Sequence, residues 1–235
     1  MKPVAIIRFF DIEGPGYFAT FLDNNHIPWQ LIRIDEGQAL PSSIAPYSGL
    51  VLMGGPMSVN DNLPWIEPLL CLIKQAVASE VPVLGHCLGG QLMSKALGGT
   101  VETGLIKELG WGRVTVTDHP VVQEWLGEIK EFEPFHWHGE TFSIPASATR
   151  LFSNVYCENQ AFASGIHLGM QCHVEVTEDM IRKWIEVNAE EIAINRSSPA
   201  VQAAEEMLAD LPSRLPQLKA VADRLYGKWI SALKY

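Results

Sequence analysis

Two separated stretches hold residues able to do chemistry together. In VPVLGHCLGGQLMSKALGG, residues 81–99, a cysteine stands among glycines as Gly85-x-Cys87-x-Gly89-Gly90. The β-formers Val81 to Leu84 precede it, and a helical run from Gln91 to Leu97 follows and stops at Gly98-Gly99. A side chain on a tight strand-to-helix turn is pushed into a strained backbone conformation, and only small flanking residues relieve the clash. A buried filler cysteine is the alternative, but strand, glycines and helix occurring together favour a nucleophile. The helix start aims N–H groups at the sulfur, which predicts a thiol pKa below the free value of about 8.5.

A thiolate needs a proton carrier and a group to orient it. The chain has seven histidines. His26 and His119 lie beside turn residues, and His86 adjoins Cys87 but should point elsewhere if the thiol points up from the turn. The stretch GMQCHVEVT, residues 169–177, offers His173 and Glu175. A strand ending at His173 would put the two on one side, so that the carboxylate holds one ring nitrogen while the other faces the thiolate. Attack on a carbonyl also creates an oxyanion, for which backbone N–H groups are the natural donors. One would come from Leu88, after the nucleophile, and one from Gly55 in LVLMGGPMSVND, where Gly54-Gly55-Pro56 follows a strand.

These pieces need a scaffold that brings strand ends to one edge. Val4–Phe9, Trp29–Ile34 and Gly49–Met53 read as buried strands, with a turn at Gly14-Pro15-Gly16 and a helix through Asn25. Ile66, Leu69, Leu70, Ile73, Ala76 and Val77 recur at helical spacing. Strand and helix thus alternate to residue 97, which predicts a mostly parallel central sheet flanked by helices, and loops opening on its carboxyl edge. Short β segments follow at 113–117, 132–137, 151–155, 162–164 and 169–173. Leu215, Leu218, Val221, Leu225 and Trp229 then form one apolar helical face. The expected organisation is an α/β domain over residues 1–190 and a helical extension over 191–235 packed on it.

The chain has 235 residues, 47% of them hydrophobic, enough for a sizeable α/β core. A net charge of −10 argues against nucleic acid, because no basic stripe exists to neutralise phosphates. No stretch approaches the roughly 18 apolar residues of a membrane span, and the N-terminal apolar run is broken by Arg8 and Asp11. The four cysteines show no Cys-x-x-Cys or zinc spacing, so free thiols in a reducing cytoplasm are expected, with neither metal nor cofactor.

The GHCLGGQ turn, the upstream Gly-Gly-Pro loop and the downstream His-x-Glu resemble the class I (triad) glutamine amidotransferases. The resemblance extends through ELGW (108–111), HWHGETFSIP (136–145) and ENQAF (158–162), and is nearest to stand-alone proteins similar to the glutaminase domain of GMP synthase. It implies a flavodoxin-like fold and a Cys87–His173–Glu175 triad that releases ammonia from glutamine through a γ-glutamyl thioester. It also implies a glutamine pocket involving Gln91, His138, Gly139 and Glu140, with Gly54 beside it. The family often has Phe-His-Pro-Glu where this chain has Cys172-His173-Val174-Glu175. The missing proline bears on how rigidly Glu175 is held.

Three rivals remain in view. A cysteine α/β-hydrolase resembling dienelactone hydrolases shares the Gly-x-Cys-x-Gly-Gly turn, but places its acid on an earlier strand. A metal site could use His136-x-His138 with a carboxylate or Cys157, yet spacing identifies no third ligand. A non-catalytic binding module would make the nucleophile set a coincidence. No Gly-x-x-x-x-Gly-Lys-Ser/Thr phosphate loop is present. The ammonia would therefore go to a synthase partner in trans, or the protein would cleave γ-glutamyl peptides.

Overall fold

The computed structural model describes residues 1–234. Its first half alternates strand and helix: β1 (Val4–Arg8), α1 (Gly16–Asn24), β2 (Trp29–Arg33), β3 (Gly49–Leu52), α2 (Ile66–Ala78), β4 (Val83–His86) and α3 (Leu88–Ala96). A β-rich stretch follows: β5 (Val101–Trp111), β6 (Val114–Val116), α4 (Pro120–Leu126), β7 (Glu131–Phe132), β8 (Phe135–Phe142), β9 (Thr149–Ser153), β10 (Ala161–Ser164) and β11 (His167–Met170). Four helices complete the chain: α5 (Glu178–Val187), α6 (Ala189–Ile194), α7 (Ala204–Leu208) and α8 (Leu211–Ile230).

The nine-stranded sheet has the order β2-β1-β3-β4-β11-β10-β9-β6-β7. From β2 to β11 every neighbour pairs in parallel, and from β11 to β7 every neighbour is antiparallel. The sheet is therefore mixed, and its parallel half carries the turn at Cys87. Strands β1, β3 and β4 are almost wholly buried, as a sheet covered on both faces requires. Alternate residues feed two cores: Val4 and Ile6 enter one, Ala5 and Ile7 the other.

Two local expectations need correction. The strand expected to end at His173 stops at Met170, and His173 is instead held by an isolated antiparallel bridge to Phe135. The strand expected over 132–137 is two pieces, β7 and β8. The latter leaves the main sheet to pair with β5 in a separate two-stranded sheet.

Helix α8 buries the face anticipated from its spacing, with Leu215, Leu218, Val221, Leu225 and Trp229 all inside. It packs on α1 and α4. Trp229 lies so close under β3 that a Cβ on Gly49 would come within 2.7 Å of its ring. Among the described residues no helix is long and apolar enough to cross a membrane.

Candidate active site

Cys87 occupies the turn between β4 and α3 with φ +49° and ψ −107°, the strained conformation its sequence setting implies. The surrounding glycines are there because backbone comes too close for a Cβ. At Gly85 a Cβ would sit 2.4 Å from the Gly89 carbonyl carbon, at Gly89 2.2 Å from the Leu52 carbonyl oxygen, and at Gly90 2.4 Å from that of Met170. Hydrogen bonds lock the same junction. The Cys87 N–H donates to the Met170 carbonyl (2.8 Å), and the Gly89 N–H to that of Met53 (3.1 Å). Neighbouring strand ends thus clamp the thiol at the carboxyl edge of the parallel sheet.

His173 and Glu175 converge on this edge. The two backbone bonds between His173 and Phe135 fix the histidine (2.8 and 3.2 Å), and the Trp184 ring stands edge-on over its imidazole, 4.8 Å between centroids. His173 Nδ1 lies 2.6 Å from Glu175 Oε1. Its Nε2 is buried with no hydrogen-bond partner, while imidazole and thiol are near enough to shift each other's titration. Burial pushes the His173 imidazole down, but Glu175 and Cys87 outweigh it and hold the pKa well above the ordinary histidine value. Burial pushes the Glu175 carboxyl up, and the opposing pull of His86 and His173 nevertheless holds it at about 2. His173 is thus a stronger base than a free imidazole, and the ionised Glu175 is placed to steady the cation that forms when it takes a proton.

The thiol itself departs from expectation. Burial raises the Cys87 pKa, and the lowering by His173 does not overcome it. The expected pKa below the free value is thus corrected: desolvation of the sulfur, with Glu13 and Glu175 adding, exceeds the lowering by the His173 imidazole. The resting group is a thiol, ionised only as its proton moves.

No proline stiffens the His173–Glu175 segment, and the first turn of α1 replaces it. The Tyr17 N–H donates to the Glu175 carbonyl (2.7 Å), and a Cβ on Gly16 would lie 2.3 Å from that oxygen. Gly16 has φ +48°, so this contact needs glycine twice over. His86, expected to point away from the nucleophile, does so and is not idle. Its Nε2 lies 3.0 Å from the Tyr226 hydroxyl and 3.7 Å from Glu175 Oε2. Burial lowers its pKa, and the nearby Glu175 opposes that shift.

The residues expected as oxyanion donors are neighbours: a Cβ on Gly55 would meet the Leu88 side chain at 2.9 Å. Their N–H groups make no hydrogen bond within the described residues. Gly54 is pressed against His173 Cε1 and the Glu13 carboxylate. A cavity of about 290 Å³ opens over Cys87, and Gln91, His138, Gly139 and Glu140 all line it. Glu140 accepts from Ser58 Oγ (2.8 Å), and the Gln91 amide donates to Gln171 (3.2 Å).

Several residues of this cavity escaped sequence reading. Gln171 Nε2 reaches the Cys87 sulfur at 3.5 Å. Lys107 pairs with Glu191, whose other oxygen accepts from Trp137 Nε1 (2.9 Å). Glu13 lies in the turn after β1 and lines the cavity. Burial, with Glu175 and Glu191 adding and His173 opposing, raises its pKa to about 7. The carboxyl-edge rule would have found Glu13, since every loop on that edge is a candidate.

The metal rival also changes. Cys157 does not join the histidine pair in a cluster of donor atoms, and its sulfur lies 3.2 Å from Thr141 Oγ1. Glu108 does: its carboxylate approaches both His136 and His138.

A mixed sheet whose parallel half carries a strained cysteine at its carboxyl edge, near a buried His–Glu pair, defines the class of α/β protein. The description Glutamine amidotransferase class-I matches residues 22–190, and the chain belongs to that family. Its fold is similar to the crystal structure of a glutamine amido transferase from Methylobacillus flagellatus, with TM-score 0.97, 46% identity, and 100% and 96% of the two chains covered. A glutamine amidotransferase-like protein of Salmonella typhimurium is 30% identical over 84% of this chain and 85% of its own. Gamma-glutamyl peptidase 3 of Arabidopsis thaliana is 25% identical over 71% of each. The chain also aligns with the GMP synthase of Azoarcus sp., spanning 34% of it. The α/β-hydrolase rival falls with these findings.

Proposed function

We propose that the protein hydrolyses the γ-amide of glutamine through a γ-glutamyl thioester on Cys87. As the sulfur attacks the γ-carbonyl, its proton passes to His173 Nε2, whose other nitrogen is held by Glu175. The oxyanion of the tetrahedral adduct is met by the N–H groups of Leu88 and Gly55. His173 then returns the proton to the departing nitrogen, and ammonia leaves. Water, deprotonated by the same imidazole, opens the thioester to glutamate and restores the thiol. Gln91, His138, Gly139, Glu140 and Gly54 shape the pocket for the glutamyl part, and Gln171 beside the sulfur joins them.

The observation that carries this reading is the buried, partnerless Nε2 of His173 on the Cys87 side of a ring whose Nδ1 is fixed by Glu175. A glutamine-like diazo-ketone should label the protein at Cys87 and abolish ammonia release. Cys87→Ala should be inactive, unlabelled and fully folded. Labelling at Cys71, Cys157 or Cys172 instead would overturn the assignment.

The likeness to a γ-glutamyl peptidase supports a second reading, in which the leaving group is a peptide amine. Lys107, Trp137, Trp184 and Glu191 also line the cavity. Product release from glutamine and from γ-glutamyl dipeptides, compared on purified protein, separates the two. If ammonia is made, a synthase partner would receive it, and no nucleotide or metal cofactor enters this half-reaction.

A further inference from the structure

Glu108, His136 and His138 meet behind the wall of the glutamine pocket, on the two-stranded β5–β8 sheet. All three are buried. One donor atom from each lies within 4.8 Å of the others. His138 Nε2 is 3.3 Å from Glu108 Oε1, and His136 Nδ1 is 3.9 Å from Oε2.

The hydrogen bonds on the far side of each ring decide which nitrogen faces inward as a lone pair. His136 Nε2 lies 3.0 Å from the Gly112 carbonyl, and His138 Nδ1 lies 3.1 Å from that of Glu140. A carbonyl oxygen only accepts, so those nitrogens carry the ring protons. The nitrogens facing the carboxylate are then His136 Nδ1 and His138 Nε2, which present lone pairs whenever no second proton is bound. Both nitrogens are buried without a hydrogen-bond partner. Lone pairs facing an anion repel unless something electron-poor lies between them.

Glu108 is held for the same purpose. Asn154 Nδ2 donates to Oε2 (2.6 Å) and Gln160 Nε2 to Oε1 (2.8 Å), leaving each oxygen another lone pair. Ring N–H groups on backbone carbonyls and a carboxylate braced by amides are the outer partners that orient metal ligands. Tetrahedral zinc with bonds of about 2.0–2.2 Å sets its ligand atoms roughly 3.3–3.5 Å apart. The His138–Glu108 separation already matches, and small rotations close the others. A cavity of about 510 Å³ is lined by Glu108, His136, Asn154 and Tyr156, so two of the three ligand residues border open space.

We propose that Glu108, His136 and His138 bind one divalent ion of the zinc class, with water or an external ligand in the open position. Two imidazoles and one carboxylate suit zinc, cobalt or ferrous ion rather than calcium or magnesium, which prefer all-oxygen shells. The site shares His138 with the wall of the cavity over Cys87, but it does not depend on the glutaminase reading.

Protein dialysed against a chelator and titrated with Zn²⁺ should take up one ion per chain with a rise in Tm. Co²⁺ should give visible bands of a nitrogen–oxygen site without thiolate charge transfer. It should also shift two exchangeable imidazole N–H resonances, those bonded to Gly112 and Glu140. Glu108→Gln and His136→Gln should each weaken binding by at least about 100-fold, the upper end of what losing even an outer partner costs. Cys71→Ser, removing an exposed thiol, should change nothing. No uptake, a thiolate spectrum, or affinity unaltered in both variants would overturn the proposal. The spectra of the unmutated protein decide it even if a variant fails to fold.

Discussion

Glu13 makes the site answer to pH near neutrality. Its carboxyl titrates at about 7 in the folded protein against 4.5 when free. A raised carboxyl pKa means that the unfolded chain ionises first, so folding loses stability as pH climbs from about 4.5 to 7 and stays lower above. Glu13→Gln removes the penalty. The variant should be more stable at pH 8 by about 1–3 kcal/mol, with no gain at pH 4, in paired denaturant titrations. Its glutaminase profile should also lose an inflection near pH 7. At the triad, losing an orienting carboxylate costs on the order of 10⁴ in turnover in protease triads. Glu175→Gln should cost less than His173→Ala, because the Gly16–Tyr17 clasp still holds the segment. Equal single-turnover rates for His173→Ala and the unmutated protein would sink the triad. That Cys87, His173 and Glu175 would come together was legible, because each sits in a local pattern with a chemical reason. Gln171 and His86 were not, since their places beside the sulfur and Glu175 arise from what folds against them, and no spacing encodes that.

At the scale of elements, the elbow tolerates no added methyl. A Cβ at Gly89 meets the Leu52 backbone at 2.2 Å, whereas at Gly14 it meets nothing within 4 Å. Gly89→Ala should cost about 3 kcal/mol or more, lowering Tm by roughly 6–12 °C for a chain of this size, while Gly14→Ala leaves Tm unchanged. Comparable melting of the two variants would mean that the junction yields. Helices α2 and α8 announced themselves by apolar spacing, and β1, β3 and β4 by apolar runs. Strand β5 did not: Glu102, Thr103, Gly104, Lys107 and Glu108 give it no apolar alternation, because it pairs outside the main sheet. Strand β11 was read three residues too far because apolar Cys172 and Val174 continue its pattern, though they are buried without sheet pairing.

Over the whole molecule, α8 is part of the structure that holds the site. Tyr226 carries the hydroxyl beside His86, and Trp229 fills the space under β3. We expect residues 191–235 to be inseparable from the rest. A chain ending at residue 190 should fail to give a cooperative melt, because the apolar surfaces of α1 and α4 lose their cover. Trp229→Ala should cost about 3–5 kcal/mol, measured by urea unfolding. A truncated chain that melts sharply and still reacts at Cys87 would show the helices to be dispensable.

The position of β11 between β4 and β10 has a consequence for the ribosome. The nucleophile emerges with β4, but the strand that covers that edge, and the histidine after it, come about 90 residues later. At about 5–20 residues per second the delay is several seconds, during which β4 offers bare N–H and C=O groups to any passing strand. A nascent chain arrested near residue 160 should therefore be unreactive toward the diazo-ketone and bound by chaperones. One extended past α8 should be neither, so that hydrolysis is withheld until β11, His173 and α8 have all emerged.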